Sequence, residues 1–265
     1  MESMEYVTLN NGIKMPILGF GVYQIRNSEC KRCCLDAFKS GYRHIDTAQW
    51  YGNESGVGDA IIESGIPRNE IFITTKIGSG RNVAEGIETS LKKLKSDYID
   101  LLLIHWVQGN DLEIWRIMES YVKKGKVKSI GLSNFFGNDY DNIIKNCEIK
   151  PVCNQIETHV FRQNLKDREI FKKNNVYLES WAPFAEGKRN MFSNKILSDI
   201  GKKYNKTVAQ IILRFLTQEN IIVIPKTTHI ERMKENINIF DFKIKEDDMK
   251  IIRKMNEECH LFGWN

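Results

Sequence analysis

Eight short apolar runs, separated by stretches long enough for helices, constrain this chain more than any other feature of it. They are ILGFGVY (17–23), YRHID (42–46), IFITTK (71–76), YIDLLLIHW (98–106), VKSIGLS (127–133), PVCNQIE (151–157), VYLESWA (176–182) and IIVIPK (221–226). Each reads as a strand. Between them lie SECKRCCLDAFKSG, GVGDAIIESG, NVAEGIETSLKKLK and NDLEIWRIMESYVKKG, whose apolar residues recur at helical spacing; several end on a glycine in the C-cap position. A helix between two strands makes them parallel, so eight such units predict an α/β chain closed into a (β/α)8 TIM barrel. Ahead of the first run, VTLNNGIKMPI carries an Asn-Gly pair between apolar residues and predicts an N-terminal β-hairpin. Two segments exceed the minimal plan: NKILSDIGKKYNKTVAQIILRFLTQE, long enough for two helices before the eighth strand, and KEDDMKIIRKMN after the last core helix. The length of 265 residues suits one barrel of about 250 residues. No linker or composition shift divides it, so residues 1–265 are expected to form a single domain.

Composition removes several function classes. At 42% hydrophobic and 28% charged residues the chain is ordinary for a globular protein, and no apolar run approaches the roughly 18 residues of a membrane span. The start, MESMEYVTLNNG, lacks the apolar segment of a secretory leader, which predicts a cytoplasmic location. Six cysteines, at 30, 33, 34, 147, 153 and 259, are then expected to be reduced thiols. CKRCC has a C-x-x-C spacing but no second pair follows, so no metal is predicted. The net charge of +5 is scattered along the chain, which argues against a nucleic-acid groove.

Barrels of this kind place their chemistry at the carboxyl ends of the strands. Asp46 ends the second run, Lys76 the third and His105 the fourth, while Tyr51 follows Asp46 by five positions (51 − 46). Each alone reads equally well as a strand cap, but together they put four titratable groups at one mouth. Thr47 to Trp50 are expected to carry the chain over the rim so that Tyr51 points back, with Gly52 turning the chain and Asn53 and Glu54 opening a helix. A phenol has a pKa of about 10, and an adjacent ammonium favours its ionised form. Lys76 is expected to supply that charge, Asp46 to keep Lys76 protonated, and His105 to donate a hydrogen bond to a substrate oxygen. Such a set polarises a carbonyl and protonates it while a hydride arrives at carbon. Side chains have no hydride to give, so a cofactor is required. IPKTTHIERMKEN (224–236) leaves the eighth strand and enters a helix with Lys226, Thr227 and Arg232 together. It reads either as a solvated basic patch or as a phosphate site, and two cations beside hydroxyls on a helix start suit a 2′-phosphate. Trp181, ending the seventh run, reads either as a core residue or as a platform for a nicotinamide ring.

These residues resemble the aldo-keto reductases. The similarity runs nearly end to end, through MPILGFGVYQ, GYRHIDTAQWYGNE, SGIPRNEIFITTK, DYIDLLLIHW, GKVKSIGLSNF, NQIETH and IPKTTHIERMKENINIFDF. The resemblance implies NADPH-dependent reduction of aldehydes and ketones by a short-loop, prokaryotic-type member, with Asp46, Tyr51, Lys76 and His105 as catalytic tetrad and Tyr51 as general acid. It also implies a cofactor site of Gly21, Val22, Asp46, Ser133, Asn134, Gln155, Trp181, Ala182, Phe184, Lys226, Thr227, Arg232, Glu235 and Asn236, with residues of WAPFAEG (181–187) along the pyrophosphate and nicotinamide path, and it makes the two long segments two extra helices outside the barrel. GNESGVG is not the dinucleotide fingerprint, since its context is wrong. The implied partner is a small carbonyl compound, met by a monomer that binds neither nucleic acid nor membrane. Departures from the family pattern fall in the loops. KIGSGRN is small where many relatives carry a tryptophan, Val107 replaces a usual proline, VQGND is brief, Val160 follows His159, and the terminal HLFGWN is short. Pocket walls are left to Tyr23, Trp50, Trp106, Phe135, Phe184, Phe262 and Trp264 beside Tyr51 and His105, which predicts an open, aromatic cleft.

Three other readings use the same residues. A metal-dependent barrel hydrolase would draw on His44, Asp46, His105, Glu157 and His159, but it leaves Tyr51 and Lys76 idle. A Schiff-base lyase would use Lys76 as nucleophile, against the neighbouring Asp46 that keeps the amine charged. A non-catalytic NADPH-binding barrel, a sensor or structural protein, would need neither Tyr51 nor His105.

Overall fold

The computed structural model describes residues 4–263. A hairpin of β1 (Tyr6–Thr8) and β2 (Lys14–Pro16) leads into β3 (Phe20–Gly21), α1 (Asn27–Lys39), β4 (His44–Asp46), α2 (Glu54–Ser64), β5 (Phe72–Ile77), α3 (Val83–Leu94) and β6 (Ile99–Ile104). There follow α4 (Asp111–Lys123), β7 (Val127–Ser133), α5 (Gly137–Asn146), β8 (Cys153–Glu157), α6 (Leu165–Lys173) and β9 (Tyr177–Trp181). The chain then runs through α7 (Lys195–Tyr204), α8 (Val208–Gln218), β10 (Ile222–Val223), α9 (Ile230–Ile237) and α10 (Glu246–Arg253).

Strands β3 to β10 pair in sequence order, each parallel to the next. A parallel bridge between Leu18 and Val223 joins the first edge to the last. There the Gly19 N–H donates to the Val223 carbonyl at 2.8 Å and the Val223 N–H to the Ile17 carbonyl at 2.9 Å. The result is a (β/α)8 barrel, in which closure leaves no strand edge unpaired. Every one of the eight apolar runs contains a barrel strand. The two shortest meet at the seam: glycines 19 and 21 flank or end β3, and Pro225, which has no N–H to give, follows β10.

α7 and α10 are the helices beyond one per strand. The long segment before β10 divides because Asn205 takes a left-handed conformation at φ 54°, after which Thr207 and Gln210 form a capping box that starts α8. α6 is the helix the sequence pattern declares least, since Phe171 is its one buried residue. The hairpin register pairs Val7 with Met15, and both side chains are buried. Its turn is tied to the barrel floor: Asn10 Nδ2 donates to the Pro151 and Asn175 carbonyls at 2.8 and 3.1 Å, and Asn11 Nδ2 to Ser129 Oγ at 3.0 Å. These contacts lie at the start of β7 and just ahead of β8 and β9, so the hairpin closes the amino end of the barrel and leaves the carboxyl end as the mouth.

Packing between the outer helices explains one glycine that propensity alone would forbid. Gly58 sits inside α2, where Ala would favour the helix by about 1 kcal/mol. A Cβ there would meet the Lys93 carbonyl oxygen at 2.2 Å and the Leu94 carbonyl carbon at 2.8 Å, and backbone does not yield as a side chain would. Gly58→Ala is therefore expected to lower stability by about 1–3 kcal/mol, read from urea unfolding; a more stable variant would show that α2 and α3 separate freely.

Candidate active site

The mouth is built around a loop that is held from below. After Asp46 ends β4, residues Gln49–Tyr51 form a single 3-10 turn, and Gly52 takes φ 67° to reverse the chain. Three side chains fix this turn. Thr47 Oγ1 donates to Asn53 Oδ1 at 2.7 Å, and Asn53 Nδ2 donates to the Val22 and Ile25 carbonyls, both at 2.9 Å. Gln49 Oε1 accepts from the Gly78 N–H at 2.9 Å while its Nε2 donates to Ser90 Oγ at 3.1 Å. Asn53 does not cap α2 with its side chain, which is committed to β3 and its loop instead. Glu54 does open α2, and its Oε1 accepts from Thr75 Oγ1 at 2.7 Å.

With the loop so held, Tyr51 turns back over the barrel. Lys76 Nζ donates to Asp46 Oδ1 at 2.6 Å, to the Thr47 carbonyl at 3.0 Å and to the Tyr51 hydroxyl at 3.3 Å, which uses all three ammonium protons. Lys76 is fully buried. Burial pulls its pKa down, but Asp46 and Tyr51 outweigh that and the net direction is up, so the ammonium persists. For Asp46, burial pushes the carboxyl upward more than the Lys76 charge and the Gln155 hydrogen bond pull it down; the short contact with Lys76 makes the pair an ammonium with a carboxylate. Tyr51 departs from the simple expectation. Burial is its largest influence and raises the phenol, while Lys76 lowers it, and the net direction is up. Tyr51 is thus held as a neutral acid whose proton the ammonium loosens.

His105 completes the group. Its ring packs edge-on against Tyr51 at 5.6 Å between centroids and under Trp50 at 5.1 Å. Burial, then the Lys76 charge, push its pKa down to about 3, so the imidazole is neutral. The indole of Trp50 also lies against Gly78, where an added Cβ would meet its Nε1 at 2.5 Å. The small residues after β5 therefore leave space that Trp50, from the preceding loop, fills.

A cavity of about 970 Å³ opens from this point. Of the residues expected at a cofactor, Gly21, Asp46, Ser133, Asn134, Gln155, Trp181, Ala182, Phe184, Lys226 and Arg232 line it. Val22, Thr227, Glu235 and Asn236 do not. Val22 and Thr227 are buried behind it, Thr227 Oγ1 accepts from the His229 N–H, Glu235 accepts from Thr207 Oγ1, and Asn236 is buried in α9. The expected substrate walls Tyr23, Trp50, Tyr51, His105 and Trp106 all line the cavity. Phe135 and Phe262 are buried and absent from the wall; Phe262 instead meets Trp181 edge-on at 5.3 Å. Trp264 lies outside the described residues. Pro183, Glu186 and Gly187, from the WAPFAEG stretch, line the cavity as well, while Gln24, Phe192 and Ile224 line it without having been anticipated. Phe192 belongs to the loop between β9 and α7, whose irregular backbone gives no periodic signal.

The residues present fit a nicotinamide dinucleotide phosphate. Asn134, at φ 61°, sits in a conformation that asparagine tolerates well; its Oδ1 accepts from the Trp181 indole at 2.9 Å and its Nδ2 donates to Ser133 Oγ at 3.0 Å. Gln155 Nε2 donates to Asp46 Oδ2 at 2.8 Å. An interlocked set of amides and one hydroxyl thus borders the acid. Farther along the cavity Lys226 and Arg232 are exposed, with no hydrogen bond or ion pair among the described residues, and α9 begins beside them with no side chain capping its N–H groups. That end is open to an anion.

The groups of the metal reading are dispersed. His44 bonds Thr74 Oγ1 at 3.0 Å deep in the barrel, whereas Glu157 is engaged by His159, by His260 and by the Leu261 N–H. Among the described residues no cluster of three or more His, Cys, Asp or Glu is placed to hold a metal ion, and no helix is long and apolar enough to cross a membrane.

Comparison with known proteins agrees with this geometry. The family model described as the Aldo/keto reductase family matches residues 18–257. A glyoxal reductase of Bacillus subtilis is 41% identical over 262 residues, covering 95% of this chain and 93% of its own. A crystal structure of an aldo/keto reductase from Brucella melitensis superimposes with a TM-score of 0.91 at 43% identity, covering 96% of this chain and 100% of its own. An aldo-keto reductase of Bombyx mori, solved in complex with NADP, superimposes with a TM-score of 0.92 at 30% identity, over 100% of this chain and 96% of that one. Matched along nearly its whole length in sequence and in fold, the chain belongs to the aldo/keto reductase family.

Proposed function

We propose that this protein is an NADPH-dependent oxidoreductase that reduces small aldehydes and ketones to alcohols, with Tyr51 as the general acid. The observation that carries this reading is the position of the Lys76 ammonium, 2.6 Å from Asp46 and 3.3 Å from the Tyr51 hydroxyl. NADPH, when bound, supplies the hydride. Lys226 and Arg232 would hold its 2′-phosphate, and Ser133, Asn134 and Gln155 would hold its carboxamide.

The chain's own residues do the rest. A carbonyl oxygen placed between Tyr51 and His105 accepts a hydrogen bond from each. As negative charge develops on that oxygen, Tyr51 passes its proton across and the phenolate left behind is stabilised by Lys76, whose own charge Asp46 balances. Neutral His105 polarises without competing for the proton. Tyr23, Trp50, Trp106, Phe184 and Phe192 keep water from the reacting oxygen. These aromatic walls, with Glu186 at the rim, suit neutral carbonyls better than carboxylates. The glyoxal reductase relative is consistent with such a substrate class. A purely cofactor-binding barrel would have no use for a neutral phenol and imidazole facing one point.

Three measurements bear on this. Tyr51→Phe is expected to lower kcat for a generic aldehyde by about 10²–10⁴-fold while NADPH affinity by fluorescence quenching stays put; normal turnover would remove Tyr51 as the acid. Arg232→Ala is expected to raise KM for NADPH about ten- to a hundredfold and to leave KM for NADH unmoved; equal effects on both would take Arg232 away from the 2′-phosphate. Because His105 has its pKa pushed down to about 3, kcat/KM for reduction should stay level between about pH 5 and 8, and an inflection there that His105→Gln abolishes would show a protonated imidazole at work.

A further inference from the structure

Glu179, on β9, is a fully buried carboxyl inside the barrel that the reaction above does not use. Its Oε1 has no hydrogen-bond partner among the described residues, while its Oε2 meets the Cys153 thiol at 3.8 Å and the carboxyl also feels the Gln155 amide beside it. The imidazole Nε2 of His44 is 4.0 Å away, but burial, then the Lys76 charge, hold that ring's pKa down to about 3 and it carries no charge. The one ammonium in reach, Lys76, is committed to Asp46. The ionisable groups facing Glu179 are therefore His44 and Asp46 on β4, Lys76 on β5 and Cys153 on β8, whose thiol burial also keeps protonated; β10 offers Ile222 and Val223. Gln155 stands beside Glu179 in register on β8 and donates to Asp46 at 2.8 Å, so one side chain separates the idle carboxyl from the catalytic ion pair.

We propose that Glu179 is a positioning residue for proton transfer: its carboxyl, sealed beneath Asp46 and Lys76, sets how tightly Tyr51 holds its proton. The proposal rests on Tyr51 being the acid. A carboxyl in a dry interior whose one nearby ammonium is committed elsewhere stays neutral: burial, then the Asp46 charge, push its pKa up to about 8 against the smaller pulls of Gln155 and Lys76. Below that pH the barrel interior holds a balanced pair, Asp46 with Lys76. Above it the interior carries one extra negative charge. That charge strengthens the hold on the Lys76 proton and makes a phenolate at Tyr51 costlier. The acid therefore survives to higher pH, and the reverse reaction, which needs the phenolate as base, is restrained.

The test is the pH profile of kcat/KM for carbonyl reduction in the native enzyme and in Glu179→Gln, which keeps the shape but never ionises. The basic limb of the variant is expected at lower pH, by about half a unit or more, with alcohol oxidation rising correspondingly earlier. A limb that coincides with the native one, or moves upward, overturns the proposal; a general loss of activity does not mimic the effect, because it lowers the profile without moving it. Should the variant not fold, carbon-13 NMR of the native enzyme grown on labelled glutamate reads the same group directly. One glutamate carboxyl titrating near pH 8 supports the proposal, and its ionisation with the bulk near about pH 4 overturns it. Tyr51→Phe turning over normally would sink the acid assignment instead and leave that carboxyl titration where it is.

Discussion

An ammonium and a carboxylate meet inside a sealed barrel, and most of what surrounds them follows from that. Lys76 is fully buried and Asp46 nearly so, 2.6 Å apart. Desolvating such ions costs several kcal/mol each, and the attraction compensates only if every proton finds an acceptor. The Thr47 carbonyl and the Tyr51 hydroxyl take the remaining protons of Lys76, and Gln155 satisfies the second oxygen of Asp46. The same contacts that make the pair tolerable place a phenol beside a cation. The tolerance of a buried ion pair and the placing of a phenol against an ammonium are here two consequences of one hydrogen-bond arrangement.

Holding that arrangement requires parts distant in sequence. The hairpin closes the floor, and the Leu18–Val223 bridge closes the ring, so the interior stays dry enough for a charge pair to matter. Thr47, Gln49 and Asn53 then pin the rim loop to the loop after β3, to the loop after β5 and to α3. On the opposite side of the mouth, the chain near its C-terminus is buckled down. Glu157 at the end of β8 takes bonds from His260 and the Leu261 N–H, Lys188 reaches the Leu261 carbonyl, and Arg189 pairs with Glu257. The loop that carries Phe184 and Phe192 is thereby tied to the terminal segment, and Ala185, Glu186, Arg189 and Asn190 within it take left-handed backbone conformations. Such angles cost on the order of 1 kcal/mol each outside glycine, a cost that the tethers offset.

Much of this was legible before any coordinates. The eight apolar runs each hold a barrel strand because a strand enclosed by a helix layer must be apolar on both faces, and that is a local property of composition. Asp46, Lys76 and His105 were identifiable because titratable residues at the ends of such runs have few other reasons to be there. The caps were partly legible: Gly65 ends α2 as a C-cap glycine should, but Asn53 resembles a cap and serves the rim loop instead. What escaped was irregular or remote. Gln24 and Phe192 come from segments without period, and Phe135 is the right residue type facing the core rather than the cavity.

The sequence by itself determined the strand and helix alternation, and with it the barrel and the end at which polar groups would gather. Period and residue type are written in neighbouring positions, and burial of a repeating apolar face leaves few alternatives. Only the tertiary structure decided the protonation states. Lys76 alone would lower the phenol of Tyr51, yet enclosure by the barrel raises it; His105 is silenced by the same enclosure, and for Glu179 burial and the Asp46 charge outweigh the pull of Lys76. Electrostatic energies depend on distance and on how completely water is excluded, and both are fixed by strands from opposite sides of the barrel that share no stretch of sequence.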